Sequence, residues 1–257
     1  GSHGSLTVEQ ALMNSCNPYM IHLALEMGNS RFAYYQSLFG FGKITGIDLP
    51  GETTGIVYGD RMTTIDAACN SFGQTNVNMM QMMAAYCSII NGGMLYQPHI
   101  VKRIESANGE VVKEYKANLV RQTITASTSK LLRRYLKNTV EEGTAKKAGV
   151  TGYSVAGKTG TAQKGDRKDN KWIISFIGHA PAENPKFAIY VVIDEPYGTT
   201  GTSGSSADVL TLTHNILEKL LPYMNVYKDA SDEYEDTSSS PDELTVDGIP
   251  AGTASSN

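Results

Sequence analysis

The sequence predicts an α+β fold in which helices come first and an antiparallel sheet comes late. Three observations carry this. Capped segments with helical apolar spacing fill most of the chain up to residue 142. Strand-like runs at 153–163, 172–179 and 187–194 are joined only by "KGDRKDN" and "PAENP", and a helix over 207–221 follows with an apolar side to lay on that sheet. Connections this short force neighbouring strands to run antiparallel.

The elements follow in order. Thr7 with Gln10 makes a capping box ahead of Leu12, Met13 and Cys16, and the pattern breaks at Asn17-Pro18. A second helix covers 19–27 and stops at Gly28; a third runs from 30 to 40. The stretch "GFGKITGIDLPGETTG" is too rich in Gly and Pro for regular structure and reads as a long ordered surface loop. Residues 76–91 have helix-compatible apolar spacing and end in Gly92-Gly93. Their Met79, Met80, Met82 and Met83 are expected to pack a core rather than to bind a soft metal. Short extended segments at 98–104 and 111–115 flank the Asn108-Gly109 turn of a hairpin, and a helix over 129–142 is terminated by Gly143.

Composition excludes several functions. With 40% hydrophobic and 19% charged residues the chain is of ordinary globular character. Its longest apolar runs are of strand length, so any membrane anchor is expected outside these residues. The formal charge is −4, but eight acidic residues and one Lys fall in 228–257, leaving 18 acidic and 21 basic residues before them. That mild positive excess suits a small anionic substrate and falls far short of a nucleic-acid footprint. The opening Gly-Ser-His-Gly-Ser reads as the remnant of a cleaved tag, 6–226 as the folded body, and 227–257 as an acidic, Ser-rich disordered linker. Cys16, Cys69 and Cys87 form no CxxC pair and read as three buried thiols; the histidines lack HExxH spacing, and there is no G-x-S-x-G. No metal or organic cofactor is indicated.

The chemistry concentrates in "VAGKTGT". A strand gains nothing by placing Lys158 between glycines unless something anionic lies against that edge. Lys158-Thr159-Gly160-Thr161 offers a cation, two hydroxyls and an approachable backbone, which is what binding a carboxylate and stabilising an oxyanion requires. A K-[ST]-G triplet arises by chance in about one chain in seven of this length, and the S-x-N of Ser15-Cys16-Asn17 in more than about half. Order and context raise their weight. An S-x-x-K, an S-x-N type triplet and a K-T-G mark penicillin-binding proteins and class A β-lactamases.

From about Leu6 to Val226 the chain resembles the transpeptidase domain of class B penicillin-binding proteins, the monofunctional enzymes that cross-link peptidoglycan, nearest the division-type and stage V sporulation protein D-like branches. The strings carrying the resemblance are "NSCNPYMI", "FGFGKITGIDLPGETTGI", "SFGQTNVNMMQMMAAYCSIINGG", "VEEGTAKKA", "GYSVAGKTGTAQK" and "SFIGHAPAENP". It implies a serine β-lactamase/transpeptidase-like fold, here cut short at the N-terminus. It also implies D-Ala-D-Ala stem peptides as substrate, β-lactams as acylating mimics, morphogenetic proteins of elongation, division or sporulation as partners, and a site of action on the outer face of the bacterial membrane, held by an N-terminal anchor. The resemblance further assigns proton relay to Ser15, substrate-amide binding to Asn17, carboxylate attraction to Lys158, carboxylate hydrogen bonds to Thr159 and Thr161, half of the oxyanion hole to the Thr161 N–H, and a flat approach for substrate to Gly160.

Two departures matter. The family's nucleophile is the Ser of an S-x-x-K preceding the S-x-N, and the only S-x-x-K here is Ser127-Thr128-Ser129-Lys130, between the other motifs at a helix start where Ser and Thr cap amides. The piece is therefore expected to be inactive by itself. "GTTGTSGSSADV" also replaces the family's usual Gly-Gly and Ala-Ala-Pro entry to the last helix. In the family two N-terminal strands cover the last strand, so 187–194 is expected to leave a free edge that makes the piece poorly soluble or self-pairing, as light scattering would report. A penicillin sensor or β-lactamase, and a non-catalytic cell-wall scaffold, are the alternatives to a synthase. Cys16, although inside the motif, is expected to pack rather than attack.

Overall fold

The computed structural model describes residues 3–166, 168, 170–196 and 205–230. The "GTTGTSGSSADV" departure and the acidic linker fall largely outside the described residues. No helix among those described is long and apolar enough to cross a membrane.

Helix α1 (Val8–Met13) opens with the capping box read from sequence: the Thr7 hydroxyl accepts from the Gln10 N–H, and the Gln10 side chain accepts from the Thr7 N–H. Helix α2 (Asn17–Met27) starts with Pro18 in its first turn, where a missing N–H costs nothing, and α3 (Asn29–Leu38) follows directly across Gly28, at φ +80°. Sequence patterning is silent on α4 (Thr64–Ser71), an eight-residue helix capped by Thr63 with Asp66 in reciprocal bonding. With α2 and α3 it encloses a small core of Ala33, Met62 and Ala67.

The Gly-rich loop is ordered by polar side chains, not by an apolar core. Glu52 accepts the Thr45 and Gly46 N–H groups at 2.8 and 3.1 Å, and Asp48 accepts those of Ile100 and Val101 at 2.7 and 2.9 Å. Gln81, 1% exposed, donates to the carbonyls of Lys43 and Thr54 at 2.6 and 2.9 Å. Gln81 sits on the inner face of α5 (Met79–Ile90), and that placement corrects the expectation for the methionines. Met79 is 52% exposed and Met80, Met82 and Met83 are half-buried, because the loop needs a hydrogen-bonding partner on that face. The three thiols are likewise not all buried: Cys16 is, whereas Cys69 and Cys87 are partly accessible.

Strands β1 (Met94–Gln97) and β4 (Asn118–Gln122) pair antiparallel around the hairpin of β2 (Arg103–Glu105) and β3 (Val111–Glu114). Helix α6 (Ala126–Glu141) then leads to the main sheet, with order β5 (Ala156–Lys164), β6 (Lys171–Ala180), β7 (Phe187–Asp194), antiparallel throughout. One face buries Ile174 and Phe176 completely under Leu217 and Leu221 of α7 (Ala207–Tyr223); the other packs Ala156 and Ile177 against Tyr86, Ile90 and Leu136 of α5 and α6. Gly157 and Gly178 oppose each other in register because the Phe176 ring lies where their Cβ atoms would be. Among the described residues β5 and β7 each pair only with β6, so the edge expected on β7 is present.

Candidate active site

Folding brings the two short motifs together. The α1–α2 corner turns on Ser15, a non-glycine residue at φ +51°, with the Ser15 and Cys16 N–H groups bonded back to Leu12 and Ala11 carbonyls. The corner turns Cys16 inward, 6% exposed, and leaves Ser15 and Asn17 at the surface. A left-handed conformation costs a side-chain-bearing residue on the order of 1 kcal/mol, and the neighbouring helix bonds hold it there.

Across from this corner lies strand β5. The Lys158 ammonium donates to Ser15 Oγ at 2.9 Å, to the Thr159 carbonyl at 3.0 Å and to Thr159 Oγ1 at 3.3 Å. Lys158 is half-buried, and burial lowers its pKa to about 8. Its partners are all neutral oxygens; no carboxylate among the described residues pairs with it. A partly desolvated cation with unspent charge attracts an anion, and at pH 7 most of the amine is still protonated.

Thr159 is partly buried and Thr161 exposed on the same edge strand. A Cβ at Gly160 would lie 2.5 Å from Ser175 Oγ on the paired strand, a hydroxyl that would have to rotate aside. The decoy S-x-x-K stays apart from this cluster. Ser127 is exposed and bonds Thr125 Oγ1 at 2.9 Å, while Thr125 accepts the Thr128 N–H to cap α6, and Lys130 faces solvent. Sequence reasoning missed Thr144. Its hydroxyl lies 3.4 Å from Thr159 Oγ1 and its N–H donates to the Met13 carbonyl at 3.2 Å. Its signal was the string "VEEGTAKKA", which resembled the family without pointing to a role.

A family model described as the penicillin binding protein transpeptidase domain matches residues 1–218. The chain is 40% identical over 232 residues to stage V sporulation protein D of Bacillus subtilis, covering 88% of this chain and 36% of that protein. It is 33% identical over 235 residues to peptidoglycan D,D-transpeptidase FtsI of Escherichia coli K12, covering 89% and 38%. The crystal structure of penicillin binding protein 3 from Mycobacterium tuberculosis complexed with ampicillin superposes with a TM-score of 0.79 at 30% identity, covering 88% of this chain and 53% of that one. The chain thus spans little more than a third of the two sequence relatives.

Proposed function

The chain belongs to the penicillin-binding protein transpeptidase family, and from that footing we propose that it is the anion-binding and proton-relay half of a D,D-transpeptidase site that cross-links peptidoglycan by serine acyl transfer. The contact of Lys158 with Ser15 at 2.9 Å, made by a cation that pairs with no carboxylate among the described residues, is the observation that carries the reading. It joins residues 143 positions apart, which the two motifs alone could not do.

The steps follow from the residues. Lys158 attracts the terminal carboxylate of a D-Ala-D-Ala stem peptide, and the Thr159 and Thr161 hydroxyls donate to it. Asn17 holds the substrate amide with its side chain. A serine hydroxyl of the family's S-x-x-K, a motif that does not precede Ser15 in these 257 residues, attacks the penultimate D-Ala carbonyl and gives its proton to the neutral Lys of the same motif, from which Ser15 relays it onward. The Thr161 N–H then supplies one of two donors to the oxyanion. The amide C–N bond breaks as Ser15 passes a proton to the departing D-Ala amine. An acceptor amine next attacks the ester, its C–O bond breaks, and the serine hydroxyl is restored. A β-lactam enters by the same route and stops at the ester. Support for the β-lactam step comes from the ampicillin complex of the structural relative, and for the peptide step from the name of the Escherichia coli relative.

The whole protein then works on the outer face of the bacterial membrane beside elongation, division or sporulation proteins, with these residues inactive when isolated. Fluorescent-penicillin labelling of a longer chain that includes an S-x-x-K before Ser15 tests the reading. The longer chain is expected to label, and its Lys158→Ala variant to label at least about tenfold more slowly, the loss of one charge-assisted contact. Equal labelling of the two would overturn it.

A further inference from the structure

The reaction needs Ser15 and Lys158 in contact, yet the two sit on elements with different supports: a helix corner and a sheet edge. One short turn touches both. At the end of α6, the Thr144 N–H donates to the carbonyl of Met13, two residues before Ser15. The Thr144 hydroxyl meets the hydroxyl of Thr159, the residue after Lys158, at 3.4 Å.

The turn is itself fixed. The Ala145 N–H donates to the Thr139 carbonyl at 3.0 Å, and Ala145 and Thr139 are fully buried. The Thr139 hydroxyl donates to the carbonyls of Leu136 and, across to β5, Gly157. Gly143 lies so close to its neighbours that a Cβ would stand 2.8 Å from the Met13 carbonyl oxygen and 2.9 Å from the Thr139 carbonyl oxygen. Only glycine lets the end of α6 approach both α1 and its own preceding turn this closely.

We propose that the Gly143–Thr144 turn is a positioning element for the reaction, holding the corner that carries Ser15 and the strand that carries Lys158 at the separation their contact requires. Thr144 acts through Thr159 and Met13 rather than on substrate. The inference rests on the transpeptidase reading for its purpose, and on geometry alone for its mechanism. Cutting the hydroxyl arm frees the Thr159 side chain that Lys158 bonds at 3.3 Å, admits water to the ammonium and slackens the relay.

The test separates the two. In the 257-residue chain, acetylation of Lys158 is followed against pH by peptide mass spectrometry in Thr144→Val, Thr144→Ala and Thr144→Ser, with melting temperatures recorded beside it. The midpoint for the native chain is expected near 8. In the Val and Ala variants it is expected to rise by about one unit as the amine is resolvated, and in the Ser variant to return. In the longer, S-x-x-K-containing chain, Thr144→Val is expected to slow penicillin acylation about tenfold, with recovery in Thr144→Ser. A midpoint unchanged in both Val and Ala overturns the positioning role, as does a shift that Ser fails to reverse. A native longer chain that never acylates defeats the transpeptidase reading instead, while the lysine midpoints still decide whether the turn holds the pair.

Discussion

At the scale of single residues, His179 exchanges neutral hydrogen bonds in dry surroundings away from the site. It is fully buried at the end of β6, with Nδ1 2.8 Å from the Tyr86 hydroxyl and Nε2 3.1 Å from the Ala182 carbonyl. The carbonyl can only accept, so Nε2 carries the proton and Nδ1 accepts from Tyr86. Burial lowers the His179 pKa to about 4, and Arg133 adds a smaller push in the same direction. The unfolded chain, at about 6.5, therefore takes up the proton first. Stability is complete above that pH and is lost as pH falls from about 6.5 to about 4, by at most about 3 kcal/mol. Urea unfolding at pH 7 and pH 4.5 checks this, and His179→Gln is expected to flatten that part of the profile. In sequence His179 belongs to no HExxH motif and its role is hidden, because its partner lies 93 residues away. The same limit hid Ser175 behind Gly160 and Thr144 beside Thr159. Lys158 and Ser15, by contrast, were legible, because each sits in a short motif whose order carries information.

Elements were legible where their signals are local. The α1 capping box, the Asn108-Gly109 hairpin, the three late strands and α7 all fall where caps, turns and periodicity put them. Helix α4 was missed despite its local Thr63/Asp66 capping box, and the other failures are elements set by distant contacts. Strands β1 and β4 are short and find each other only across the β2–β3 hairpin. On α5 the apolar stripe implied a methionine core, whereas the loop over 40–55 demanded Gln81 at its centre. Gln81 thus replaces the core that the Gly-rich loop lacks. Gln81→Leu leaves the Lys43 and Thr54 carbonyls without these donors and is expected to cost about 2 kcal/mol. Hydrogen exchange is expected to accelerate across 40–55 while the β5–β6 amides stay protected; uniform acceleration would place Gln81 in the global core instead.

At the scale of the whole molecule, the sheet is closed on both faces and open at its edges. Helix α7 covers one face, and α5 and α6 the other, while β5 presents Lys158 at one edge and β7 lies at the other with no partner among the described residues. The fold class was readable because caps, turns and periodicity are local signals, and the two motifs because their order carries information. The union of the motifs was implied only by the family resemblance, because it depends on how a helix corner meets a sheet edge. On the proposed reading these 257 residues carry the clamp and the relay, while among the described residues the serine of the S-x-x-K string, Ser127, bonds Thr125 and not Lys158 or Ser15. Intact-mass spectrometry of the chain after incubation with benzylpenicillin tests that division most directly. The account predicts an unchanged mass; a stoichiometric covalent adduct on this chain would contradict it.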